Sequence, residues 1–466
     1  MRPVRQLAAA LLIAVPAVPL AAQTATGRDS IPRCVSCSMD RHFRGAANEL
    51  LVFEMIPYGV NRWIGKKPED QTTFKSWAYN LRRGWGWDND HFPVNAFAHP
   101  YSGALFYNSA RSHGYDFWSS APFAMGGSVL WEYFGETTRP SINDLVNTTL
   151  GGITLGETMY RFSSIVLDGH SHGMERVVRE FAAALIDPPR AVTRLTHGEV
   201  GRVGPDAPDR LPSRIMSTIE IGDQRLDRAV DQQPLIGPKQ FFVNYALAYG
   251  DPLAGDVHEP FGALRLEAAF STGVTATISR MQAVGFLAAH DLRNKDGHNQ
   301  QLALAMHYHY NNNRAFVTGG QGFSGGLISR YPVGRTNAVH TELFLTGIVL
   351  GAVKSDFAPD KLAIDSGKAR SYDYGPGVGA GMLARFDRGP HSLVEISYQP
   401  FWYSVVSGVA RHHFYDIEGV RLQLPLSRKT ALGVKQTVYR RLAYYANHPM
   451  TRSVDGQTQG YIAFTF

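Results

Sequence analysis

The sequence predicts an α+β multi-domain protein, in which an N-terminal α-helical domain is followed by an antiparallel transmembrane β-barrel of about 12 strands. Three observations support this prediction: an apolar N-terminal leader, a helical stretch rich in small residues, and a C-terminal half in which polar and apolar residues alternate. The predicted parts are a signal peptide at 1–22, an N-terminal segment at 23–74, a periplasmic helical domain at 75–186, a linker at 187–213 and an outer-membrane barrel at 214–466.

The leader MRPVRQLAAALLIAVPAVPLAAQ combines two arginines with an apolar run and ends in small residues. This pattern is typical of a secretory signal peptide, and it is too short and too often broken by proline to be a membrane anchor. We place the cleavage near Ala22 and expect an exported protein. No later run of about 18 uncharged apolar residues occurs, so we expect no conventional transmembrane helix.

The only cysteines, Cys34 and Cys37, lie in RCVSCSMD within the N-terminal segment. A C-x-x-C pair can be a redox pair, half of a zinc site or a haem attachment. Ser38 stands where haem attachment needs histidine, and no second C-x-x-C completes a zinc site. A small local disulfide in an exported segment is the interpretation we favour.

The net charge of +6 is modest, and its basic residues are scattered rather than collected in one block. Phosphate binding usually requires a concentrated basic patch, so we expect no nucleic-acid partner. The sequence contains no G-x-S-x-G elbow, Walker loop or dinucleotide fingerprint, and it therefore gives no support to the enzyme classes that carry them.

Beyond residue 210, about twelve segments alternate with a period of two. In QLALAMHYHYN, for example, Leu302 and Leu304 share one face, and His307 and His309 share the other. Alternating segments of about ten residues indicate a transmembrane barrel, although a soluble β-sandwich alternates similarly. The ending GYIAFTF places apolar residues at alternate positions up to Phe466. It resembles the ends of outer-membrane barrels, so we expect the barrel assembly machinery and outer-membrane lipid as partners.

A barrel of this size encloses little space, because side chains fill the interior at about 8 strands and open channels form at about 16 to 18. Inward-pointing polar residues should form a mixed network that either leaves a narrow passage or seals it. These residues are Arg265, Glu267, His307, His309, Glu395, Arg421, Lys435 and Arg441. A helical domain of more than a hundred residues cannot fit inside, so we expect it in the periplasm against the barrel mouth.

Three helices are predicted in the helical domain. The first begins at HPYSGALFYNSARSHG, with His99 as the cap residue and Pro100 at the first helical position. The second covers DFWSSAPFAMGGSVLWEYFGE, and the third begins in PSINDLVNTTLGGITLGE. Gly152 and Gly156 have the small-residue spacing that lets helix backbones approach closely. We expect the Ala124–Ser128 face of the second helix to cross there.

Short loops make neighbouring helices antiparallel, which gathers polar residues at the two ends of the bundle. One end receives His99, Glu132, Glu136 and Asp144, and the other receives Arg111, Glu157 and Arg161. One histidine and two carboxylates in a partly buried pocket can form a general acid–base pair, because burial and mutual repulsion raise a carboxylate pKa. The same residues can bind a divalent metal such as zinc or manganese.

The candidate residues fall into three groups. His99, Glu132 and Asp144 are the catalytic candidates, and with Asp90 they are the candidate metal ligands. Asn95, Tyr101, Arg111, Glu136, Asn147 and Glu157 are the candidates for ligand binding.

Structural alternatives stay open for each of these groups. Asp144 lies at a capping-box distance from Ser141, so it can serve only to cap the third helix. Glu132 can pair with Arg139 or with His99. Arg111 and Glu157 can form a purely structural ion pair.

The motifs NAFAHPYSGALFYNSARSHG, GSVLWEYFGE, PSINDLVNTTLGGITLGE and PPRAVTRLTHGE together resemble a bacterial family defined only as a domain of unknown function. The resemblance covers roughly residues 75 to 200 and implies a shared fold, export and often a barrel-like C-terminal region, but no activity. The order of His99, Glu132, Asp144, Asn147 and Gly152 is also similar to that of the VanZ-like proteins, a membrane group linked to glycopeptide resistance. That similarity assigns no catalytic role, and this chain lacks the long apolar helices of that group.

Two function classes therefore fit the sequence. In the first, the protein is a non-enzymatic envelope component whose barrel anchors a helical domain that binds an envelope ligand or partner, or gates a narrow pore. In the second, it is an outer-membrane-anchored hydrolase or transferase that acts on a lipid or cell-wall precursor at His99, Glu132 and Asp144.

Overall fold

A computed structural model of the chain shows an N-terminal helical region followed by a closed antiparallel barrel, which confirms the predicted fold class. The structure describes residues 41–65, 71–204, 212–230, 233–272, 278–295, 297–357, 364 and 369–466. The predicted signal peptide and the Cys34–Cys37 pair lie outside the described residues.

The helical region consists of α-helices that are extended by π-helical turns. The helices are α1 (Phe43–Gly59), α2 (Phe74–Arg82), α3 (His99–Arg111), α4 (Phe117–Leu130), α5 (Ile142–Val146), α6 (Gly152–Val166), α7 (Gly173–Ile186) and α8 (Pro188–Thr196). The π-helical segments are Val60–Gly65 after α1, Val94–Ala98 before α3, Trp131–Gly135 after α4, and Asn147–Gly151 between α5 and α6. Helical structure thus begins inside the predicted N-terminal segment and extends into the predicted linker. Within the described residues, no helix combines the length and the hydropathy needed to cross a bilayer.

The three predicted helices are present, but the first begins earlier than expected. Asp116 caps α4 by accepting from the Ser119 backbone N–H, as aspartate often does at a helix start. His99 is not a cap residue, because the π-helical segment Val94–Ala98 runs directly into α3 and leaves Pro100 inside a continuous helix. Proline cannot donate to the helical hydrogen-bond ladder, and the irregular turn lies directly before it.

Two glycines bring α3 and α6 into backbone contact. A Cβ atom on Gly103 would lie 1.8 Å from the Thr148 carbonyl oxygen, and one on Gly152 would lie 2.5 Å from the Gly103 carbonyl carbon. Only glycine fits such a crossing. The expected partner, the Ala124–Ser128 face of α4, is therefore wrong, and the tight neighbour of Gly152 is α3.

Twelve long strands form the barrel, and one additional three-residue strand, β2, extends a hairpin. The strands are β1 (Ile215–Val230), β2 (Gln233–Leu235), β3 (Lys239–Tyr249), β4 (Leu264–Ser271), β5 (Ile278–Lys295), β6 (His298–Asn312), β7 (Val317–Val333), β8 (Asn337–Lys354), β9 (Tyr372–Arg388), β10 (His391–Ser404), β11 (Ala410–Pro425), β12 (Thr430–Tyr445) and β13 (Thr451–Thr465). The barrel closes because β1 pairs antiparallel with β13, from Thr218 opposite Thr465 to Ala229 opposite Val454. The predicted count of about 12 strands is confirmed.

The two ends of the barrel differ in their connections. At the end where β1 begins and β13 finishes, four of the five connections, β5–β6, β7–β8, β9–β10 and β11–β12, have two to four residues, and the fifth, β3–β4, is longer and spans 250–263. The longest connection at the opposite end, 355–371, joins β8 to β9. We call these the turn end and the loop end. Short turns on one side and longer loops on the other are typical of bacterial outer-membrane barrels, with the turns in the periplasm.

Contacts between strands that are not neighbours identify the side chains that point into the barrel. Arg265 of β4 pairs with Glu342 of β8 at 2.6 Å, and Arg421 of β11 pairs with Glu220 of β1 at 3.3 Å. These four residues line a polar cavity of about 460 Å³. The other predicted inward residues that line it are Glu267, His307, His309, Glu395 and Lys435. Arg441 instead contacts Lys354 and Asp356 near the loop end.

Aromatic side chains fill the lumen on the loop-end side of this cavity. Tyr403 and Tyr415 place their hydroxyl oxygens 3.1 Å apart, and the rings of Phe316 and Tyr439 stack with centroids 5.3 Å apart. These four residues belong to one buried cluster. Both expected states of the interior, a narrow passage and a sealed lumen, stay predictions.

The helical region packs against the outer surface of the barrel. Tyr308 and Tyr310 alternate with the inward-pointing His309. Outside the barrel, the Tyr308 hydroxyl donates to the Ala96 carbonyl at 2.6 Å, and Tyr310 stacks on Phe92. Further outward residues of β3, β4, β6, β8 and β9 are buried in the same two clusters as helical residues: Leu247, Tyr249, Leu264, Met306, Leu350, Ala352, Tyr372 and Tyr374. The expected packing against the barrel mouth is wrong, because strands β3 to β9 offer an apolar outer wall that the helices cover.

Candidate functional site

The three catalytic candidates meet at the loop end, as the antiparallel arrangement predicts. His99 Nε2 lies 3.5 Å from Asp144 Oδ1, and His99 Nδ1 lies 3.5 Å from Thr148 Oγ1. A Glu132 carboxyl oxygen accepts the Ser141 backbone N–H at 2.6 Å. The convergence is therefore present in the structure, whereas the roles of these residues stay a prediction.

Local structure explains how the two carboxyl groups are held. The Ser141 hydroxyl caps α5 by accepting the Asp144 backbone N–H. The carboxyl group of Asp144 is thus free of capping and instead faces His99 and the Asn143 amide. Glu132 lies on the π-helical turn after α4, and such turns are frequent at functional sites. The alternative in which Glu132 pairs with Arg139 does not occur, because Arg139 donates to the carbonyl oxygens at 84 and 85.

Burial controls the protonation of both carboxyl groups. It raises the pKa of Glu132 from 4.5 to about 10, and the nearby charge of Asp144 adds to this effect. Burial likewise raises the pKa of Asp144 well above its ordinary value, with further contributions from Asp88 and Glu136. At neutral pH Glu132 is therefore protonated and can donate a hydrogen bond, and the upward shift of the Asp144 pKa favours the protonated form of that group as well.

Amide side chains connect these acids to a wider polar group. Asn143 Nδ2 donates to Asp144 Oδ1 at 2.9 Å and to Asp88 Oδ1 at 3.1 Å. Asn95 Nδ2 donates to Asp88 Oδ1 at 2.6 Å. Asn95 Oδ1 is fully buried and has no hydrogen-bond partner among the described residues. We call His99, Glu132, Asp144, Asp88, Asn95 and Asn143 the loop-end cluster.

The barrel supplies one wall of the loop-end cluster. Asn95 Nδ2 also donates to the Tyr372 hydroxyl at 2.7 Å, and Asn147 Nδ2 donates to the Tyr374 hydroxyl at 3.2 Å. Gln321 Nε2 donates to Asn147 Oδ1 at 2.8 Å. Sequence reasoning missed these barrel residues, since the outward alternation of Tyr372 and Tyr374 looks like that of any lipid-facing strand.

The predicted group at the opposite end of the bundle is a fully paired ionic network. Arg111 Nε and Arg161 Nε donate to the two carboxylate oxygens of Glu157 at 2.7 and 2.8 Å. The Tyr107 hydroxyl donates to the same carboxylate, and Arg161 also reaches Glu259 in the β3–β4 connection. This geometry favours the structural interpretation of Arg111 and Glu157, which tie the helices to the turn end of the barrel.

The remaining candidates lie around the loop-end cluster without completing a metal site. The Glu136 carboxylate accepts from Trp131 Nε1 and from the Thr138 hydroxyl, and the Tyr101 ring stacks on Phe97. Asp90 is exposed, and its carbonyl accepts the Tyr372 hydroxyl. Within the described residues, no three His, Cys, Asp or Glu side chains are placed to hold a metal ion. The proposed set of Asp90, His99, Glu132 and Asp144 therefore does not come together as ligands.

The arrangement offers two kinds of chemistry. The protonated carboxyl group of Glu132, the carboxyl group of Asp144 and the unpaired amide oxygen of Asn95 can bind a polar group that both donates and accepts hydrogen bonds. The hydroxyl group of Thr148 lies next to one nitrogen of the His99 imidazole, and the carboxyl group of Asp144 lies next to the other. This is the order of a nucleophile, a base and an orienting acid, at distances longer than the 2.6–3.2 Å usual for an assembled site.

Comparison with known proteins supplies a family for part of the chain but no activity. The sequence matches no curated protein. Among solved structures, it is similar to the NanC porin, with 7% identity over 53% of this chain and 98% of that chain and a TM-score of 0.27. It is also similar to the CymD monoaromatic hydrocarbon channel, with 10% identity over 55% and 89% and a TM-score of 0.23. The outer membrane protease OmpT from Escherichia coli shows 9% identity over 55% and 98%, with a TM-score of 0.19.

TM-scores this low carry no inference about function, and the barrel assignment rests on the strand pairing of this chain. Residues 84–189 match the family described as "Domain of unknown function (DUF3943)". The match begins at Gly84 and therefore contains all the residues of the loop-end cluster. The chain thus joins a segment that matches this domain of unknown function to a closed barrel of twelve long strands.

Proposed function

We propose that the protein is an outer-membrane component of the bacterial envelope, whose loop-end cluster binds a polar group of an envelope ligand. Support for the membrane location comes from the barrel wall, which is polar inside and apolar outside. Large apolar side chains are exposed on the parts of the outward barrel face that the helices leave uncovered: Leu343, Leu345, Val378, Ile396, Val420, Leu422, Leu424, Leu432, Val434, Ile462 and Phe464.

The observation that carries the ligand-binding proposal is the buried, unpartnered Oδ1 of Asn95. Buried polar atoms in native proteins usually have a hydrogen-bond partner. Among the unpartnered buried atoms of the described residues, this carbonyl oxygen is the one that belongs to the loop-end cluster, where a ligand could supply the donor. The same side chain contacts Asp88, which Asn143 connects to Asp144. A hydroxyl or amine group of a lipid headgroup or glycan would supply the donor.

Native mass spectrometry of the full-length protein, extracted gently from outer membranes, tests this proposal. Wild type should carry a bound envelope molecule. The fraction of protein that carries it should fall at least about tenfold in Asn95→Leu, because the variant removes the amide without changing the side-chain volume much. Asn108→Leu is the matched control, since Asn108 is an equally buried asparagine on α3 whose amide also has no hydrogen-bond partner among the described residues, but it lies outside the cluster. It separates a loss specific to the cluster from the effect of removing any buried amide. Equal occupancy in wild type and Asn95→Leu would contradict the proposal.

A second function, acid–base catalysis on a lipid or cell-wall precursor, is favoured by the contact of Thr148 with His99. Thr148→Val and Thr154→Val form a matched pair, because both threonines are buried on consecutive turns of one helix and only Thr148 contacts the imidazole. Mass spectrometry of lipids and peptidoglycan fragments from expressing cells should show a product with wild type and Thr154→Val. The product should be absent with Thr148→Val and His99→Ala. If wild type changes no envelope molecule, the catalytic function is refuted.

Gating of a narrow pore receives less support than either function. The aromatic cluster around Tyr415 occupies the lumen on the loop-end side, and the polar cavity lies between it and the turn end. Planar-bilayer recordings should therefore show no steady conductance for the wild-type protein.

A further inference from the structure

Helix α1 has the polarity of a membrane protein rather than that of a water-soluble bundle. Its two carboxylates, Glu49 and Glu54, are 6% and 7% exposed, whereas Leu51, Met55 and Ile56 are 50%, 54% and 55% exposed. Helices on the surface of soluble proteins show the opposite arrangement, with charges outward and leucines inward. An apolar solvent around α1 would account for this inversion.

The same inversion occurs on α7. Arg176 and Arg179 are buried and donate to backbone carbonyl oxygens, among them that of Val166. Val177 and Phe181, on the other side of the helix, are exposed. Each of these two helices thus buries two charged residues and exposes large apolar ones, and Arg44 and Glu175, near the N-terminal ends of α1 and α7, are exposed charges.

The exposed apolar surface extends from α1 onto α4. The two helices are in contact, since the rings of Phe43 and Phe123 lie 6.1 Å apart. Helix α4 has no charged residue from Phe117 to Leu130. Large apolar side chains exposed on the two helices, together with the π-helical turn after α1, are Leu51, Val52, Met55, Ile56, Val60, Trp63, Ile64, Trp118, Met125 and Leu130. Contiguous apolar patches larger than a few hundred Å² indicate a partner or a membrane.

The position of the helical region identifies lipid as the occupant of this surface. The region reaches from Tyr372 at the loop end of the barrel to Glu259 at the turn end, and it lies on the outer wall between them. Beside it, Leu302, Leu304 and Leu345 of the same wall are exposed. A bilayer that surrounds the barrel must therefore also meet the helices that are packed on its outside.

Tryptophan residues mark both ends of the patch. Trp118 is exposed next to Phe117, whose ring packs on Phe261 in the β3–β4 connection at the turn end. At the loop end, Trp77 packs edge-on against Phe134 with ring centroids 5.4 Å apart. Tryptophan is enriched at the two interfaces of a membrane, where its apolar ring and its N–H group are both accommodated.

We propose that the apolar face of α1 and α4 contacts the acyl chains of outer-membrane lipids, so that the helical region lies in the membrane beside the barrel and not in the periplasm. The barrel wall covers one side of the helical region, and buried charged groups such as Glu157 with Arg111 and Arg161 pair inside the region. The loop-end cluster lies beyond the loop end of the apolar patch. This inference does not depend on the proposed ligand, because it rests on the outer surface of the helices alone.

Quenching by brominated lipid tests the proposal on the full-length chain, with Cys34 and Cys37 replaced by serine. A bimane fluorophore is attached to Val52→Cys or Met125→Cys, and the protein is inserted into phosphatidylcholine vesicles with brominated or ordinary acyl chains. Leu424→Cys on the bare barrel wall is the lipid-facing control, and Asn447→Cys in the β12–β13 connection is the aqueous control.

Brominated acyl chains should cause little loss of fluorescence at position 447. We expect the fractional loss of fluorescence at positions 52 and 125 to be at least half of the fractional loss at position 424. Labelling of the same cysteines in intact outer membranes with a membrane-impermeant maleimide should be about tenfold slower at position 52 than at position 447. Quenching at position 52 equal to that at position 447 would overturn the proposal. Slow labelling in cells without quenching in vesicles would also overturn it, in favour of a protein partner on this face.

Discussion

Neutralising Glu132 should stabilise the protein at neutral pH. The Glu132→Gln change keeps a side-chain oxygen that can accept the Ser141 backbone N–H, and it removes the ionisable group. Below pH 4.5 the carboxyl group is protonated in both the folded and the unfolded chain. Between pH 4.5 and about 10 only the unfolded chain ionises, because burial raises the pKa of Glu132 in the folded protein. The stability of the wild type should therefore fall as the pH rises through this range.

The size of the effect follows from the same two values. The unfolded chain gains about 1.4 kcal/mol for every pH unit above the ordinary pKa of 4.5, so folding of the wild type loses about 3 kcal/mol by pH 7. Glu132→Gln should recover most of that free energy of unfolding at pH 7 and almost none of it at pH 4. Urea unfolding of the full chain in detergent, followed by the fluorescence of the nearby Trp131, measures the difference.

Glu136→Gln is the control, because Glu136 lies four residues further along, at the end of the same helix, and its carboxylate is bound by Trp131 and Thr138. The control should not reproduce the stabilisation at pH 7. A Glu132→Gln protein that is less stable than wild type at pH 7, with an unchanged pH dependence, would refute the reasoning. Glu132 would then be an ionised group with a partner.

Three further predictions use the same unfolding measurement or a simple extension of it. Glu157→Gln should cost about 3–5 kcal/mol, because it leaves two buried guanidinium groups without their shared carboxylate, and a loss below about 1 kcal/mol would contradict the network. Gly103→Ala should lower the melting temperature, since its Cβ would meet the Thr148 carbonyl oxygen. In the control Gly126→Ala the added Cβ has no neighbour within 4 Å, so this change should raise the free energy of unfolding by up to about 1 kcal/mol. Equal effects of the two glycine changes on stability would refute the close crossing at Gly103. Tyr372→Phe should cost about 1 kcal/mol and speed limited proteolysis between the helices and the barrel, and an unchanged cleavage rate would show that its hydroxyl does not hold the two together.

The alternation of residues in the C-terminal half is sufficient to predict the barrel. Side chains of a strand point to opposite faces whatever the strand packs against, so His309 is found inside and Leu304 outside, as expected. The same alternation cannot show what covers the outer face. Tyr308 and Tyr310 continue the series of Leu304, yet the helices bury them, because their surroundings come from a part of the chain that is some 200 residues away.

The part of the site that the helices supply is predictable from the sequence, because three helices with short loops have few ways to pack. Spacing along each helix is enough to bring His99 to Asp144, at 3.5 Å. The packing partner of Gly152 is not predictable in the same way, since Gly103 on α3 and the small residues of α4 are equally suitable by sequence. The contact of Tyr372 with Asn95 cannot be predicted from helix spacing, because it joins residues that are 277 positions apart.

The docking of the helices on the barrel wall has a consequence for the order of assembly. The surface that receives them is built from β3 to β9 and includes Tyr308, Tyr310 and Tyr372. This surface does not exist until those strands have paired, and the strands follow the helices in the chain. The helical region, although it is synthesised before these strands, can thus complete its packing only after they have formed.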